Sequence, residues 1–124
     1  MADAVTTQTL VSGSRRVVRV FTNVSDGVGE SAVNKIDISA MEGAPTIVKI
    51  NKVTWSCRGM AVRVLFDHTT DDTVLVLHGE GQFDFTAYGG LHDPASAGGT
   101  GDVLFTTINQ VTNDSYTIMI DVSF

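Results

Sequence analysis

The sequence is poor in the residues that most often cross-link small proteins or build catalytic sites. Its 124 residues include one cysteine, one tryptophan, two prolines and three histidines. The lone Cys57 excludes an internal disulfide, and its neighbours Trp55 and Met60 predict a buried, unreactive thiol within a strand. Three scattered histidines and one cysteine form no recognisable set of nucleophile, base and orienting group, so no enzymatic activity is expected.

Positive charge is also scarce. Eight Lys and Arg residues stand against fourteen Asp and Glu residues, which gives a formal net charge of -6. The basic residues never form a run longer than two, whereas nucleic-acid binding needs a concentrated basic face, so no nucleic-acid partner is expected. No apolar run approaches the roughly 20 residues that a membrane-spanning helix needs, and MADAVTTQTL lacks the regions of a secretion signal. We therefore expect no membrane partner and synthesis in a cytoplasm.

What the sequence has in abundance is period-two alternation of apolar and polar residues. Hydrophobic residues make up 43% of the chain and charged residues 18%, a balance that predicts one folded domain over residues 1–124. The clearest strand is the last, in which Tyr116, Ile118, Ile120, Val122 and Phe124 alternate with polar or smaller residues. This pattern predicts an all-β protein in which one face of the last strand is buried.

Other strand-like segments precede it and lead to a specific architecture. They are AVTTQTLV, RRVVRVFTN, VNKIDIS, IVKINKVTWSC, MAVRVLFD, TVLVLH, QFDFTAY and DVLFTTIN, which bring the total to about nine strands. Arg58 and Gly59 are predicted to form a hairpin turn between two of them. Residues 1–11 contain few large apolar side chains and are expected to form an arm or an edge strand. The spacing predicts an antiparallel β-sandwich with jelly-roll or Greek-key wiring, with an open β-barrel as the alternative.

The stretch YGGLHDPASAGGTGD, residues 88–102, is the most unusual part of the chain. Its glycines could cradle a phosphate if a helix followed, but the run GGTGD leads into a strand, so no helix N-terminus is available. We expect a long surface loop with a role in binding another molecule. Tyr88, beside two glycines, is the aromatic residue best placed for a sugar platform, and His92 and Asp93 follow it four and five residues later.

Histidines and aspartates suggest a metal site only weakly. The candidate ligands are His68, Asp71, Asp72, His92 and Asp93, which could bind zinc or manganese if two loops converged. Their spacing is not diagnostic, and turn chemistry explains the aspartates equally well. No cofactor and no metal are therefore expected.

The carboxylates suggest two further kinds of site, a calcium loop and a pair for sugar hydrolysis, and neither pattern is specific. The segment DGVGE, residues 26–30, has the oxygen atoms and glycines of a calcium loop but not the ligand spacing of an EF-hand, and a turn is the simpler reading. Pairs for sugar hydrolysis could be assembled from Glu30, Asp67, Glu80 or Asp84, as in any acidic β-protein.

Three long phrases of the sequence point to a family. FTNVSDGVGESAVNKIDIS, VRVLFDHTTDD and YGGLHDPASAGGTGDVLFTT resemble small virion structural proteins of tailed bacteriophages, and the resemblance covers nearly the whole chain. It implies an auxiliary viral protein of the capsid surface, a decoration or cement protein that binds the shell of the major capsid protein. It also implies an all-β homo-oligomer, a dimer or trimer, and brings no catalytic or metal-binding residues with it.

Two other roles stay open within this expectation. The chain could belong to the tail or the head-tail junction, or it could be an adsorption module that recognises a host glycan. In each case loops and termini are the expected contact elements. The candidate interaction residues are Val5, Leu10, Tyr88, Leu91, His92 and Pro94.

Overall fold

The computed structural model describes residues 4–12, 16–25, 30–36, 48–67, 72–91 and 102–123. Within these ranges lie seven strands: β1 (Ala4–Ser12), β2 (Arg16–Val24), β3 (Val33–Ile36), β4 (Lys49–Phe66), β5 (Asp72–Asp84), β6 (Val103–Ile108) and β7 (Ser115–Ser123). A short 3-10 turn occupies Thr86–Tyr88. Every strand pair is antiparallel. The all-β prediction is therefore confirmed.

The seven strands form one curled sheet, an antiparallel half-barrel. Its order is β1-β2-β7-β4-β6-β3, and β5 pairs with the other side of β4. On one side β4 pairs with β5 along most of its length. On its other side the first half of β4 pairs with β7 and the second half with β6. The predicted sandwich of about nine strands is not confirmed, since the described residues form seven strands in a single sheet.

The hairpin predicted at Arg58 and Gly59 is wrong, because β4 runs through both residues. Residues 57–60 form a wide bulge between the register pairs Ser56↔Glu80 and Ala61↔His78. Gly59 has a φ of 82°, and a Cβ there would lie 2.2 Å from Oδ1 of Asp114. Glycine thus lets the strand bend rather than reverse. Two segments predicted as separate strands, TVLVLH and the start of QFDFTAY, likewise merge into β5.

The bulge of β4 belongs to a line of irregularities at which the whole sheet bends. On β5 the bulge faces Gly79, which also has a positive φ, of 67°. On the other side lies the connection 109–114 between β6 and β7, followed by the connection between β2 and β3. Hydrogen bonds of 2.7 Å from Ser25 N to Asp114 O and of 2.8 Å from Asn113 N to Ser25 O join these two connections. This line divides the sheet into two halves. One half contains β1, β2, β7 and the first half of β4, and the other contains β3, β6 and the second half of β4.

The core lies on the inner side of this bend. The predicted buried face of β7 is confirmed for Tyr116, Ile118, Ile120 and Val122, while Thr117 on the other face is exposed. Asp121 departs from the alternation because it is buried too, and Phe124 lies outside the described residues. Phe105 of β6 meets the rings of Phe21 and Tyr116 edge-on, with centroid distances of 5.3 Å and 5.9 Å. Other buried members are Val17, Ile36, Val48, Ile50, Val53, Met60, Val62, Val64, Phe66, Leu77 and Val103. The aromatic cluster joins strands from both halves of the sheet.

Candidate interaction surfaces and a buried polar cluster

Strand β1 is an edge strand, as the sequence predicts. Among the described strands it pairs only with β2. Residues 6–10, TTQTL, are all exposed, and because neighbours on a strand point to opposite faces, both faces of this segment meet solvent. The nine residues of β1 include no charged side chain. Within the described part of the chain, the strand thus presents main-chain groups along its outer edge that no other strand pairs with.

The two interaction candidates of the N-terminal segment both lie in β1. Leu10 is 50% exposed and sits at a bulge, since the pairing with β2 shifts register between Thr9 and Val11. Val5 lies in the regular part of the strand, and its side chain is outside the described residues. Arg19 of β2 donates a hydrogen bond of 3.2 Å from Nε to Oγ1 of Thr9, which ties the two strands together on one face.

The β5 edge differs from the β1 edge in charge. Among the described strands β5 pairs only with β4. Glu80 and Asp84 are exposed acids on it, and Thr73 is an exposed neutral residue near its start. Thr86 donates to Oδ1 of Asp84 from both its hydroxyl, at 2.6 Å, and its backbone N, at 3.0 Å. These two hydrogen bonds lower the pKa of Asp84, the one from the hydroxyl more than the one from the backbone. Asp84 therefore carries a negative charge at neutral pH.

Beyond β5, residues 85–91 form a turn that is clamped to β4. Phe85 N donates to Asn51 O at 2.7 Å, and Leu91 exchanges hydrogen bonds of 2.7 Å and 3.0 Å with Ile50. Gly90 has a φ of 94°, and a Cβ there would come within 3.0 Å of Cβ of Lys49. Leu91 packs against the core, so this interaction candidate has a structural role. His92 and Pro94 lie outside the described residues.

Tyr88 projects from this turn and is 81% exposed. Nearby on the inner face, Trp55, Phe83 and Phe85 form an aromatic row, with centroid distances of 5.0 Å and 5.8 Å. Trp55 packs partly against the core and donates from Nε1 to His78 O at 3.1 Å. Phe83 is 42% exposed. The sequence predicted Tyr88 as an accessible ring but missed Phe83, because strand alternation alone does not distinguish a core face from its open edge.

None of the five weak metal candidates has its side chain among the described residues. His68, Asp71, His92 and Asp93 lie outside the described residues, as does the side chain of Asp72, the first residue of β5. Among the residues that the structure describes, no three His, Cys, Asp or Glu side chains are grouped so that they could hold a metal ion.

The described ranges also contain no helix with the length and hydrophobicity that crossing a membrane requires.

Cys57 is buried, as predicted, and burial raises the pKa of its thiol to about 11. Only about one thiol in a thousand is then the reactive thiolate at pH 8, against a substantial fraction for an ordinary cysteine. We expect a thiol reagent to label the native protein at least about 100-fold more slowly than the unfolded chain at this pH. Equal rates in the absence and presence of denaturant would contradict the burial of Cys57.

A buried polar cluster lies between the two halves of the sheet. Oε2 of Glu30 lies 2.5 Å from Nζ of Lys35, and Oε1 accepts hydrogen bonds from Tyr116 OH at 2.5 Å and Asn23 Nδ2 at 3.1 Å. The Lys35 and Glu30 side chains are 5% and 6% exposed. Nζ of Lys35 also lies 5.9 Å from the ring centroids of Phe21 and Phe105. One carboxylate thus joins side chains from β2, β3 and β7.

The backbone explains why these polar residues point inward. Asn23 and Tyr116 are direct register partners on β2 and β7, so their side chains share a face. Lys35 lies where the pairing of β3 with β6 shifts register, and such a bulge redirects a side chain. Glu30 is held to β6 by a bond of 2.8 Å from its N to Oγ1 of Thr107 and one of 3.0 Å from Thr107 N to its O. The Glu30 carboxylate is therefore engaged inside the protein rather than open to a calcium ion or paired with Glu80 or Asp84. Residues 26–29 of the segment DGVGE lie outside the described residues.

Comparisons with known proteins do not identify a family. No family model matches the chain, and no curated protein matches it. Among solved structures, the chain is similar to a cupin superfamily protein from Desulfitobacterium hafniense DCB-2. The two are 14% identical over 100% of this chain and 80% of that chain, with a TM-score of 0.41. This likeness is too distant to bear on function.

Proposed function

We propose that this chain is a non-enzymatic structural protein of a bacteriophage virion, a capsid decoration protein that pairs with itself and binds the shell of the major capsid protein. The observation that carries the proposal is the exposed, uncharged edge strand β1. The sequence phrases that resemble virion structural proteins supply the setting. In such a setting many copies, each making modest contacts across neighbouring capsid subunits, stabilise the shell together.

A second copy of the chain is the partner that best fits β1. An edge strand binds another strand through its main-chain groups, and two identical strands can pair antiparallel about a two-fold axis. In β1 such pairing opposes no like charges, because residues 4–12 are all uncharged. At the β5 edge, pairing about a two-fold axis would bring the exposed Glu80 of each copy toward acids of the other, whereas Asp84 lies 3.8 Å from Nζ of Lys52. The regular segment of β1 before the bulge at Leu10 is therefore the proposed self-association edge.

The self-association edge is tested with Thr7→Lys. The new lysines of the two copies would lie close to the two-fold axis, where their repulsion is expected to weaken the dimer about tenfold or more. Thr73→Lys, the matched change on the exposed part of β5, is expected to leave the dimer unchanged. Sedimentation equilibrium measures both, and circular dichroism checks that each variant is folded.

A charge swap makes this test independent of small effects on folding. Thr7→Glu alone is expected to weaken the dimer as Thr7→Lys does, and an equimolar mixture of the two variants is expected to restore it. Loss of the dimer in Thr73→Lys, unchanged association in Thr7→Lys, or a wild-type protein that stays monomeric would each contradict pairing through β1.

The virion role has its own test, separate from the dimer interface. Quantitative mass spectrometry of purified particles of the encoding phage is expected to find many copies of the chain, and labelled antibodies are expected to decorate heads. Labelling of tails would favour the tail or head-tail junction instead. Absence from the particles would contradict the proposal whatever the result for Thr7.

The aromatic residues favour one alternative function, a module that recognises host glycans. Tyr88 is the most exposed large hydrophobic residue in the described part of the chain. Aromatic rings stack on sugars through their apolar faces. A glycan array is the appropriate test. Binding that disappears in Tyr88→Ala but persists in Thr86→Ala, a change in the same turn, would favour this function over decoration.

A further inference from the structure

The buried cluster places a nucleophile and an electrophile against one carboxylate, which can itself transfer protons. Glu30 contacts Nζ of Lys35 through Oε2, at 2.5 Å, and the carboxamide of Asn23 through Oε1, at 3.1 Å. An amine is a nucleophile and a carboxamide carbon is an electrophile. From this arrangement we propose that Lys35 and Asn23 become joined by an intramolecular amide, or isopeptide, bond that forms within the folded chain. The proposal does not depend on the role of the chain in a virion.

The surroundings of the cluster suit this chemistry because they exclude water. Asn23 has no exposed surface, and the Lys35 and Glu30 side chains are almost fully buried. The rings of Phe21 and Phe105 both lie near the lysine nitrogen, on the same side of it, with centroids 5.9 Å away. The direct contact between Nζ and Oε2 gives a path for a proton to pass from the ammonium to the carboxylate, which frees the lone pair that the attack requires. Tyr116 holds the other carboxylate oxygen in place through its hydroxyl.

The reaction balances without any further reagent. The lone pair of Nζ attacks Cγ of Asn23, a bond forms between these atoms, and the bond from Cγ to Nδ2 breaks. The proton that the Glu30 carboxylate accepted from Nζ is passed on to Nδ2, which contacts the same carboxylate, so the leaving group departs as ammonia. Of the three hydrogens on the lysine ammonium, one remains on the new amide, one leaves in ammonia, and the last leaves with it as ammonium. No oxidant, reductant or metal is consumed.

The placement of the groups separates this proposal from an ordinary ion pair. A lysine and a glutamate suffice for charge neutralisation, but here the bulge in β3 aims Lys35 into the site where Asn23 is bonded to the same carboxylate. The bond would close a covalent ring across the connection between β2 and β3. That ring limits the freedom of the unfolded chain, as a disulfide does in a chain with two cysteines. It would also tie β2, and through it the neighbouring β1, to the opposite half of the sheet.

Intact mass measured under denaturing conditions tests the proposal directly. The wild-type chain is expected to be lighter than its sequence by one molecule of ammonia. Trypsin is expected to spare Lys35 and release the peptide 20–49, whose backbone fragments between residues 23 and 35 should be missing because both ends of that segment remain joined. Full sequence mass, or ordinary cleavage at Lys35, would overturn the proposal without any need for a variant.

Variants then assign the roles. Lys35→Arg and Asn23→Ala remove the nucleophile and the electrophile, and both are expected to have their full sequence mass. Glu30→Gln keeps the shape of the side chain but cannot accept the proton, and is expected to abolish or strongly slow the loss of ammonia. Asn34→Ala, a change at the exposed neighbour of Lys35, is the control and should still lose ammonia. Loss of ammonia in Lys35→Arg, or a full rate in Glu30→Gln, would refute the assignment.

Discussion

Replacing Glu30 with alanine is expected to lower the free energy of unfolding by about 3 to 5 kcal/mol, which would make it one of the most damaging single changes in this chain. The substitution leaves the Lys35 ammonium buried without the carboxylate that faces it at 2.5 Å. It also removes the acceptor of the Tyr116 hydroxyl and of the Asn23 amide. Urea denaturation followed by circular dichroism measures the change.

Two comparisons isolate the cause of this loss. Glu80→Ala removes an exposed carboxylate from β5 and is expected to change stability by no more than about 0.5 kcal/mol. The double variant Glu30→Leu/Lys35→Met removes both charges, and is expected to recover much of the stability lost in Glu30→Ala, because no lone charge then remains buried. Neither Glu30→Ala nor the double variant can form the proposed amide bond, so the difference in stability between these two reports the cost of the lone buried charge. A Glu30→Ala protein as stable as Glu80→Ala would contradict the buried cluster.

Replacing Phe105 with alanine is expected to cost about 3 to 5 kcal/mol through the cavity that it leaves. Phe105 is fully buried on β6, and its ring contacts Phe21 of β2 and Tyr116 of β7 edge-on. These contacts join the two halves of the bent sheet, so the neighbouring strands cannot collapse into the space without moving against one another. The same denaturation experiment measures the loss.

Phe83→Ala is the matched control for Phe105. Phe83 is 42% exposed and packs on Trp55 and Phe85 at the open edge of the inner face. Its truncation removes less buried surface, so the loss is expected to be clearly smaller than for Phe105. If the two variants lost the same free energy, the aromatic row would belong to the core rather than to the accessible edge.

Local patterns predicted the strands well where one face of a strand is uniformly apolar. The alternation from Tyr116 to Val122 predicts the buried face of β7 because a strand repeats every two residues whatever lies beside it. The lack of large apolar residues in residues 1–11 likewise predicts an edge strand. Cys57 was predicted to be buried for a similar reason, the apolar neighbours Trp55 and Met60.

Breaks in the pattern were harder to interpret. Arg58 and Gly59 have the composition of a hairpin turn, and a glycine with positive φ serves a turn and a bulge equally well. The choice was made by neighbours far along the chain. Residues on both sides of Gly59 pair with the same strand, β5, so β4 bends at this glycine and continues. Only the pairing of distant strands distinguishes these outcomes.

The sequence by itself determined that this protein is all-β and that its final strand has a buried face, and it predicted an arm or an edge strand for the first residues. These properties follow from the period of apolar residues along single strands. The tertiary structure alone decided that Asn23, Glu30, Lys35 and Tyr116 meet in the interior. Asn23, Glu30 and Lys35 are polar and would be placed at the surface from their own neighbourhoods, whereas the alternation of β7 already predicts a buried Tyr116. The pairing of β2 with β7 and the bulge in β3 turn the four side chains toward one another. Their shared burial accounts for one of the two largest stability effects expected here and for the proposed chemistry.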